Sequence, residues 1–352
     1  MLNINCTINI NDTIKYELSN INLLSILRDK YSLKDLSIKL NVAIGTIQRW
    51  IMLDNIPNNY KFDLLRLLNK NIEYINYNSN LKDQFYTSDD TAKKCWDIIC
   101  HNIDISNYIF IEPSAGDGVF IKYLPNNSIF LDIEPRHKGI IKQDYLSWNP
   151  NKDNKYIVVG NPPFGLRGHT ALNFINHSYS FADYVCFILP QLFDSDGKGS
   201  PRKRIKNYNL IYSKKISGIY NTPENNKINI NCVFQIWSKY KSNSLFDIKA
   251  NNSDLLKIYS LSDGGTTAST RNRIMLNKCD IYLPSTCFGE NNMKVYNKFD
   301  DLPNRKGYGV VFNNNKLEMI KKANNIKWNE VSFLSTNSAY NLRTSLILSI
   351  LE

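Results

Sequence analysis

Tyr156-Ile157-Val158-Val159-Gly160-Asn161-Pro162-Pro163-Phe164 is the stretch that decides the fold. Its first five residues are an apolar run of strand length, which reads as a short buried strand. Two consecutive prolines can neither continue a strand ladder nor enter a helix interior, so the chain must leave the sheet in a stiff, extended turn. That turn carries an amide side chain, carbonyls and an aromatic ring away from the carboxyl end of a strand, where open α/β sheets bind ligands. An amide oxygen and a carbonyl can accept hydrogen bonds from an exocyclic amino group, and the ring can stack on a flat heterocycle. Taken alone, the four residues fit a proline-stiffened surface turn equally well.

The residues upstream separate these readings. Tyr108-Ile109-Phe110-Ile111 reads as a buried strand and runs into Glu112-Pro113-Ser114-Ala115-Gly116-Asp117-Gly118. Gly116 and Gly118 permit positive φ and close approach of a ligand to the backbone. A short helix is expected over Val119 to Leu124, then a strand over Ile129 to Ile133 with Asp132 and Glu134 at its end. Strand, glycine loop, helix and acid-tipped strand make half of a doubly wound fold. The loop is neither a Gly-x-Gly-x-x-Gly fingerprint nor a P-loop, which argues against a pyrophosphate-bearing ligand. Asp132 suits a ribose diol, and Glu112 suits a positive group. A ligand with ribose and an ammonium but no pyrophosphate describes S-adenosyl-L-methionine.

From about Gln84 to Tyr240 the sequence resembles the N6-adenine DNA methyltransferases in which the cofactor motifs come first, Asn-Pro-Pro-aromatic next and target recognition last. The resemblance implies an α/β, Rossmann-like S-adenosylmethionine-dependent methyltransferase sheet. It implies Asn161, Pro162 and Phe164 as catalytic residues, with Phe164 stacking on a flipped-out base. It further implies Thr87, Glu112, Ser114, Ala115, Gly116, Asp132, Asp144 and Tyr145 as the cofactor set, Asp144 and Tyr145 reading the cofactor's adenine. Glu134 is the alternative to Asp132 if the strand register is displaced by two. Ser88 stands where that family often has proline. Phe234 and Phe174 are candidates for covering the target base and the cofactor adenine, each with a core role as the competing assignment.

Outside that segment, helical spacing starts at Ile21, and Ser32 with Asp35 forms a capping-box signal. Leu33, Leu36, Leu40, Ile47 and Trp50 would face inward, leaving Thr46, Gln48 and Arg49 outward. Tyr31 to Leu68 resembles the phage-repressor helix-turn-helix, whose second helix reads DNA in the major groove. A small helical bundle used for protein contacts is the competing reading. The expected organisation is a helix-turn-helix domain over residues 1–78, a catalytic domain over 79–240 and an α+β target-recognition region over 241–352.

The 352 residues carry 43 Lys and Arg against 32 Asp and Glu, a formal net charge of +11. That excess suits a polyanion, nucleic acid first. Arg202-Lys203-Arg204 and Arg271 with Arg273 are the candidate phosphate contacts beyond the N-terminal helices. Seven dispersed cysteines without a Cys-x-x-Cys pair and four His predict no zinc site and a reducing, cytoplasmic compartment. No signal peptide and no apolar run of membrane-spanning length is read. The expected activity is adenine-N6 methylation of double-stranded DNA, in a restriction–modification system with a cognate endonuclease or as a solitary enzyme. Cytosine-N4 or RNA-adenine methylation, and a non-catalytic DNA-binding regulator, are the alternatives. The sequence sets neither target site nor oligomeric state.

Overall fold

The computed structural model describes residues 18–78, 82, 84–195, 200–221, 227–240, 253–267, 269–334 and 339–352. The chain forms two compact units, residues 1–81 and 82–352.

In the first unit, α1 (Asn20–Arg28), α2 (Leu33–Lys39), α3 (Ile44–Met52) and α4 (Lys61–Leu67) surround Leu24, Leu27, Leu36, Leu40, Ile47, Trp50 and Leu64. The Ser32 hydroxyl accepts from the Asp35 N–H at 3.1 Å, and the Asp35 carboxylate accepts in return from the Ser32 N–H. This reciprocal pairing satisfies two of the donors that a helix start leaves orphaned. Between α2 and α3 the backbone turns through Asn41 at φ 51°, and the Ser37 hydroxyl donates to the Val42 carbonyl at 2.6 Å. Trp50 packs on Tyr60 with ring centroids 4.6 Å apart. Gln48 and Arg49 are exposed on α3, and Thr46 is half-buried.

The second unit is built on an eight-stranded sheet. Its elements in chain order are β1 (Tyr86–Thr87), α5 (Asp89–Asn102), β2 (Tyr108–Glu112), β3 (Ile129–Asp132), β4 (Ile141–Lys142), β5 (Lys155–Gly160), α6 (His169–Ser178), β6 (Ala182–Pro190), β7 (Asn209–Asn221) and β8 (Lys227–Ser238). The order across the sheet is β1-β7-β8-β6-β5-β2-β3-β4. The strands β4, β3, β2, β5 and β6 are parallel, and β8 runs antiparallel between β6 and β7. Both faces of β5 are covered. Tyr156 and Val158 meet Ala171, Leu172 and Ile175 of α6, while Ile157 and Val159 meet Ala92, Cys95 and Ile99 of α5. Two buried faces explain why this strand is apolar throughout instead of alternating.

The remaining chain packs into the same unit. The strands β9 (Leu256–Ser262), β10 (Ile281–Pro284) and β12 (Lys306–Phe312) form one antiparallel sheet; β11 (Thr286–Phe288), β13 (Phe333–Leu334) and β14 (Ala339–Asn341) form another. The helices α7 (Lys316–Asn325), α8 (Trp328–Val331) and α9 (Thr344–Leu351) close a core around Ile281, Leu283, Val310 and Trp328. The Leu334 N–H donates to the Gln191 amide oxygen at 3.0 Å, and Arg343 donates to the Ser195 hydroxyl at 3.3 Å.

Two elements differ from expectation. Val119–Lys122 is a single 3-10 turn, because Gly118 at φ 85° and Pro125 leave too few residues for an α-helix. Ala339 to Leu351 reads in the sequence as one final helix, but the helix begins only at Thr344, since 339–341 pair with β11 and β13.

Ile157 is fully buried at the centre of the sheet. Ile157→Ala is expected to lower unfolding free energy by about 2–5 kcal/mol, read from the denaturant midpoint.

Candidate active site

The carboxyl ends of β2, β3 and β5 converge. After β2 the chain turns through Gly116 at φ 54° and Gly118 at φ 85°. The loop is tied down by Ala115 N–H to the Leu131 carbonyl at 2.9 Å and Gly118 N–H to the Ala115 carbonyl at 2.7 Å. Asp132, buried at the tip of β3, accepts from the Gly116 N–H at 2.8 Å and the Glu134 N–H at 2.7 Å. Burial raises the Asp132 carboxyl above the usual range, and those two N–H groups oppose the rise. Glu134 is engaged elsewhere, its carboxylate accepting from Lys82 and from the Gln84 amide. Asp132 thus has its carboxylate on the glycine loop, and Glu134 does not.

Glu112 ends β2 at 2% exposure, and its Oε2 is buried without a hydrogen-bond partner. Burial pushes its carboxyl well above the ordinary range, and Asp132 and Asp117 push it the same way. Gly160 passes beside it at φ 145°, where a Cβ would stand 3.2 Å from the Glu112 Cγ. The last residue of β5 is thus glycine for two reasons, conformation and close approach.

Asn161 follows directly. Its Nδ2 donates to the Phe85 carbonyl at 3.2 Å, and its Oδ1 is buried without a partner among the described residues. A carbonyl can only accept, so this bond fixes which end of the amide faces Phe85 and leaves the oxygen as the unsatisfied end. The Ser114 hydroxyl donates to the Asn161 main-chain carbonyl at 3.0 Å, joining the glycine loop to the proline turn. Among the described residues no loop or turn backbone N–H donates to the Pro162 carbonyl. The Phe164 carbonyl accepts from the Thr170 and Ala171 N–H groups at 3.1 and 3.3 Å, which anchors the turn to α6. The Phe164 ring is half-buried.

The sequence resemblance implies Phe85-Tyr86-Thr87 as the segment that holds the methionine carboxylate, with Thr87 the donor. Tyr86 lies over the glycine loop: a Cβ on Gly116 would stand 2.8 Å from its ring, and the Arg136 guanidinium sits 5.1 Å from its centroid. Its hydroxyl is buried without a partner, and burial pushes it up to about 12. What the sequence reading did not name is the Phe85 carbonyl as the acceptor for Asn161 and Gly160 as the close neighbour of Glu112. Their positions beside Thr87 and Asn161 were the available signal.

Of the expected cofactor set, Glu112, Ser114, Ala115, Gly116 and Asp132 meet at these strand ends. Thr87 is buried on β1 and lines, with Asp117, Gly118 and His137, a cavity of about 700 Å³. Asp144 is half-buried and caps the turn after β4, accepting from the Leu146 N–H at 3.1 Å. Tyr145 must be reassigned as a side chain. It is 1% exposed, its hydroxyl lies 2.6 Å from the Ser178 hydroxyl, and its ring packs on Phe174 at 5.1 Å. Both rings belong to the core, as does Phe234 on β8. Lys203, Arg271 and Arg273 are exposed, and Arg202 and Arg204 are half-buried; residues 196–199 and Ala268 of those two basic segments lie outside the described residues. Among the described residues no helix is long and apolar enough to cross a membrane.

The sheet order, with antiparallel β8 inserted between β6 and β7, is that of the class I S-adenosylmethionine-dependent methyltransferase fold. No protein-family model matches the sequence, and no curated protein does. Solved structures match in part. A protein of Pyrococcus horikoshii described as an RNA methyltransferase is 18% identical, over 45% of this chain and 88% of that one, at a TM-score of 0.36. A protein of Vibrio vulnificus YJ016 described as a type I restriction-enzyme modification subunit is 14% identical over 60% and 54%, at 0.31. Magnesium protoporphyrin IX methyltransferase from Synechocystis PCC 6803, solved with bound S-adenosylmethionine, is 11% identical over 52% and 98%, at 0.29. Scores this low carry no argument, and the fold is read from the strand order itself.

Glu112 gives this site a measurable pH signature. Its carboxyl is raised in the folded chain, so above the ordinary carboxylate value of about 4.3 the unfolded chain holds fewer protons. Stability contributed by this residue therefore falls as pH rises. Glu112→Gln removes the effect. The variant is expected to melt higher than the parent at pH 8, with the difference closing as pH falls toward about 4.3 and constant below it. A difference independent of pH would show that Glu112 is not the group responsible.

Proposed function

We propose that this protein transfers a methyl group from S-adenosylmethionine to the N6 amino group of adenine in double-stranded DNA. The observation that carries the reading is the Asn161 amide, oriented by Phe85 with a buried, unpaired Oδ1. A buried acceptor without a donor is costly unless a ligand supplies one. An exocyclic amine brings two hydrogens, and the Asn161 Oδ1 and Pro162 carbonyl are two acceptors on adjacent residues.

The residues fit the cofactor. The unpartnered Glu112 Oε2 calls for a cationic group, and the Gly116 turn leaves no room for a side chain beneath Tyr86. Glu112 would hold the ammonium, Asp132 the ribose hydroxyls and Asp144 the adenine amino group, with Thr87 and the Ser114–Gly116 loop around the methionine end. S-adenosylmethionine, when bound, supplies a methyl group already activated on a sulfonium. Asn161 and Pro162 accept both amine hydrogens, which draws the nitrogen lone pair out of conjugation with the ring. Ser114, by holding the Asn161 carbonyl, keeps the acceptors in place. Phe164 stacks on the base once it leaves the duplex.

Support for DNA comes from the formal charge of +11 and from α2–turn–α3, which exposes Gln48 and Arg49 on the second helix as a major-groove reader would. Preference for adenine over cytosine N4 rests on the sequence resemblance. A cognate restriction endonuclease is the functional partner that such an enzyme implies.

Long-read sequencing of modified bases in DNA from cells expressing the chain is expected to report N6-methyladenine in a fixed context. Absence of any DNA methylation in the presence of cofactor binding would overturn the proposal. Asn161→Ala is expected to lower turnover at least about 100-fold while cofactor affinity stays within about twofold. Gln48→Ala/Arg49→Ala is expected to weaken DNA affinity in gel-shift titration by about tenfold, each lost base or phosphate contact being worth about 1–3 kcal/mol.

A further inference from the structure

We propose that Arg167 binds a DNA phosphate beside the flipped-out adenine and so anchors the target nucleotide over the catalytic turn. This role rests on the methyl-transfer reading above and falls to a residue that the reading leaves unused.

Among the described residues, ten non-glycine residues hold positive φ, and eight of them are Asn or Asp. Those side chains tolerate left-handed backbone best, being short and able to bond to the neighbouring main chain. The two exceptions are Arg305 at φ 46° and Arg167 at φ 53°. Arg305 is occupied, its guanidinium lying 2.7 Å from Asp263 and 3.1 Å from Asp300. Arg167 is exposed, and its side chain has no hydrogen-bond, ionic or ring partner among the described residues. A long cationic side chain thus stands where Asn would cost less, and no contact within the described chain offsets the difference.

The backbone around Arg167 is fixed. It sits in the 3-10 turn Leu166–Gly168, between Phe164 and the start of α6. The Gly165 carbonyl accepts from the Gly168 N–H at 3.2 Å, and the Leu166 carbonyl accepts from the His169 N–H. A Cβ on Gly165 would collide with the Thr170 side chain, and one on Gly168 would stand 2.6 Å from the Phe193 ring. Strained backbone persists where its surroundings over-determine it in this way, and it clusters where ligands are held. Flipping turns a nucleotide about its own backbone, so a base stacked on Phe164 brings its flanking phosphates to the same rim. Glu112, Asp117 and Asp132 at the neighbouring strand ends offer a phosphate no counter-charge. A guanidinium does, and its planar fork matches two phosphate oxygens. Such a contact positions the nucleotide and carries no sequence information.

The test follows methyl transfer from S-adenosylmethionine to genomic DNA of a methylation-deficient strain, across a salt series. The full chain is compared with Arg167→Asn and Arg167→Lys. Arg167→Asn is expected to raise KM for DNA about tenfold, with kcat within about twofold. The slope of log kcat/KM against log salt should flatten by about 0.9, the share of one phosphate contact. Arg167→Lys keeps the charge and should keep most of that slope. The melting temperature of Arg167→Asn should stay level or rise, because Asn suits the left-handed backbone. An unchanged KM in Arg167→Asn overturns the phosphate role alone, and so does a raised KM with an unchanged salt slope. A parent chain that binds cofactor but methylates no DNA overturns the functional reading and this role together.

Discussion

The hydrogen bond from Asn161 Nδ2 to the Phe85 carbonyl spans 76 residues of sequence and determines what the proline turn can do. Such a bond contributes only about 1 kcal/mol of net stability. Its importance is directional, because it decides that an acceptor, and not a donor, is left unpaired at the strand end. Everything around it serves that orientation. Edge strand β1, pinned to β7, holds Phe85 in place, and Gly160 lets the backbone pass Glu112. Ser114 ties the Asn161 carbonyl to the glycine loop, and α6 takes up the Phe164 carbonyl. The amide is positioned by the edge of the sheet, its centre and the helix behind it at once.

The same strand ends store electrostatic cost. Glu112, Asp132 and Asp117 are all raised by burial, and Asp132 and Asp117 also raise Glu112. In a chain with a formal charge of +11 this is a local inversion of sign. A cation over the loop, Arg136, is exposed and lies against the Tyr86 ring. Such an arrangement lowers the stability of the empty protein and favours a ligand that brings positive charge, the pattern expected where structure is sacrificed to binding. The raised Glu112 carboxyl also means that a cation binding there displaces a proton, so affinity for it rises with pH.

What was legible in the sequence was local. The glycine loop and the proline turn each announce their backbone geometry through residues that tolerate little else, and the Ser32–Asp35 cap fixes the start of α2 by chemistry within four residues. What was illegible was decided at long range. Tyr145 follows an acid just after a strand and reads like a ligand contact, yet Phe174 and Ser178, about thirty residues on, draw it into the core. Residues 339–341 carry helix-compatible side chains, but β11 offers them a ladder. Tyr86 looked like a neighbour of Thr87 until the fold laid its ring on Gly116. In each case the deciding partner lies far along the chain, beyond any periodicity window.

The segment after β9 shows how a polar run that lacks periodicity can still be a defined surface. Asp263 accepts from the Gly265 N–H at 3.2 Å, from the Thr270 hydroxyl at 3.3 Å and from Arg305 at 2.7 Å. Arg271 bridges to Ser262 through the backbone, and the Asn272 amide donates to the Ser260 carbonyl at 2.8 Å. These bonds consume the polar groups of the loop and leave Arg271, Arg273 and Ile274 projecting into solvent. The braced backbone that carries these side chains loses little conformational entropy on meeting a surface. Under the proposed function that surface is a nucleic-acid backbone and groove, where cations set the register and an apolar residue can enter between bases. The bracing acid, Asp263, is paired with Arg305. The carboxylate therefore stabilises the loop while Arg305 offsets its charge.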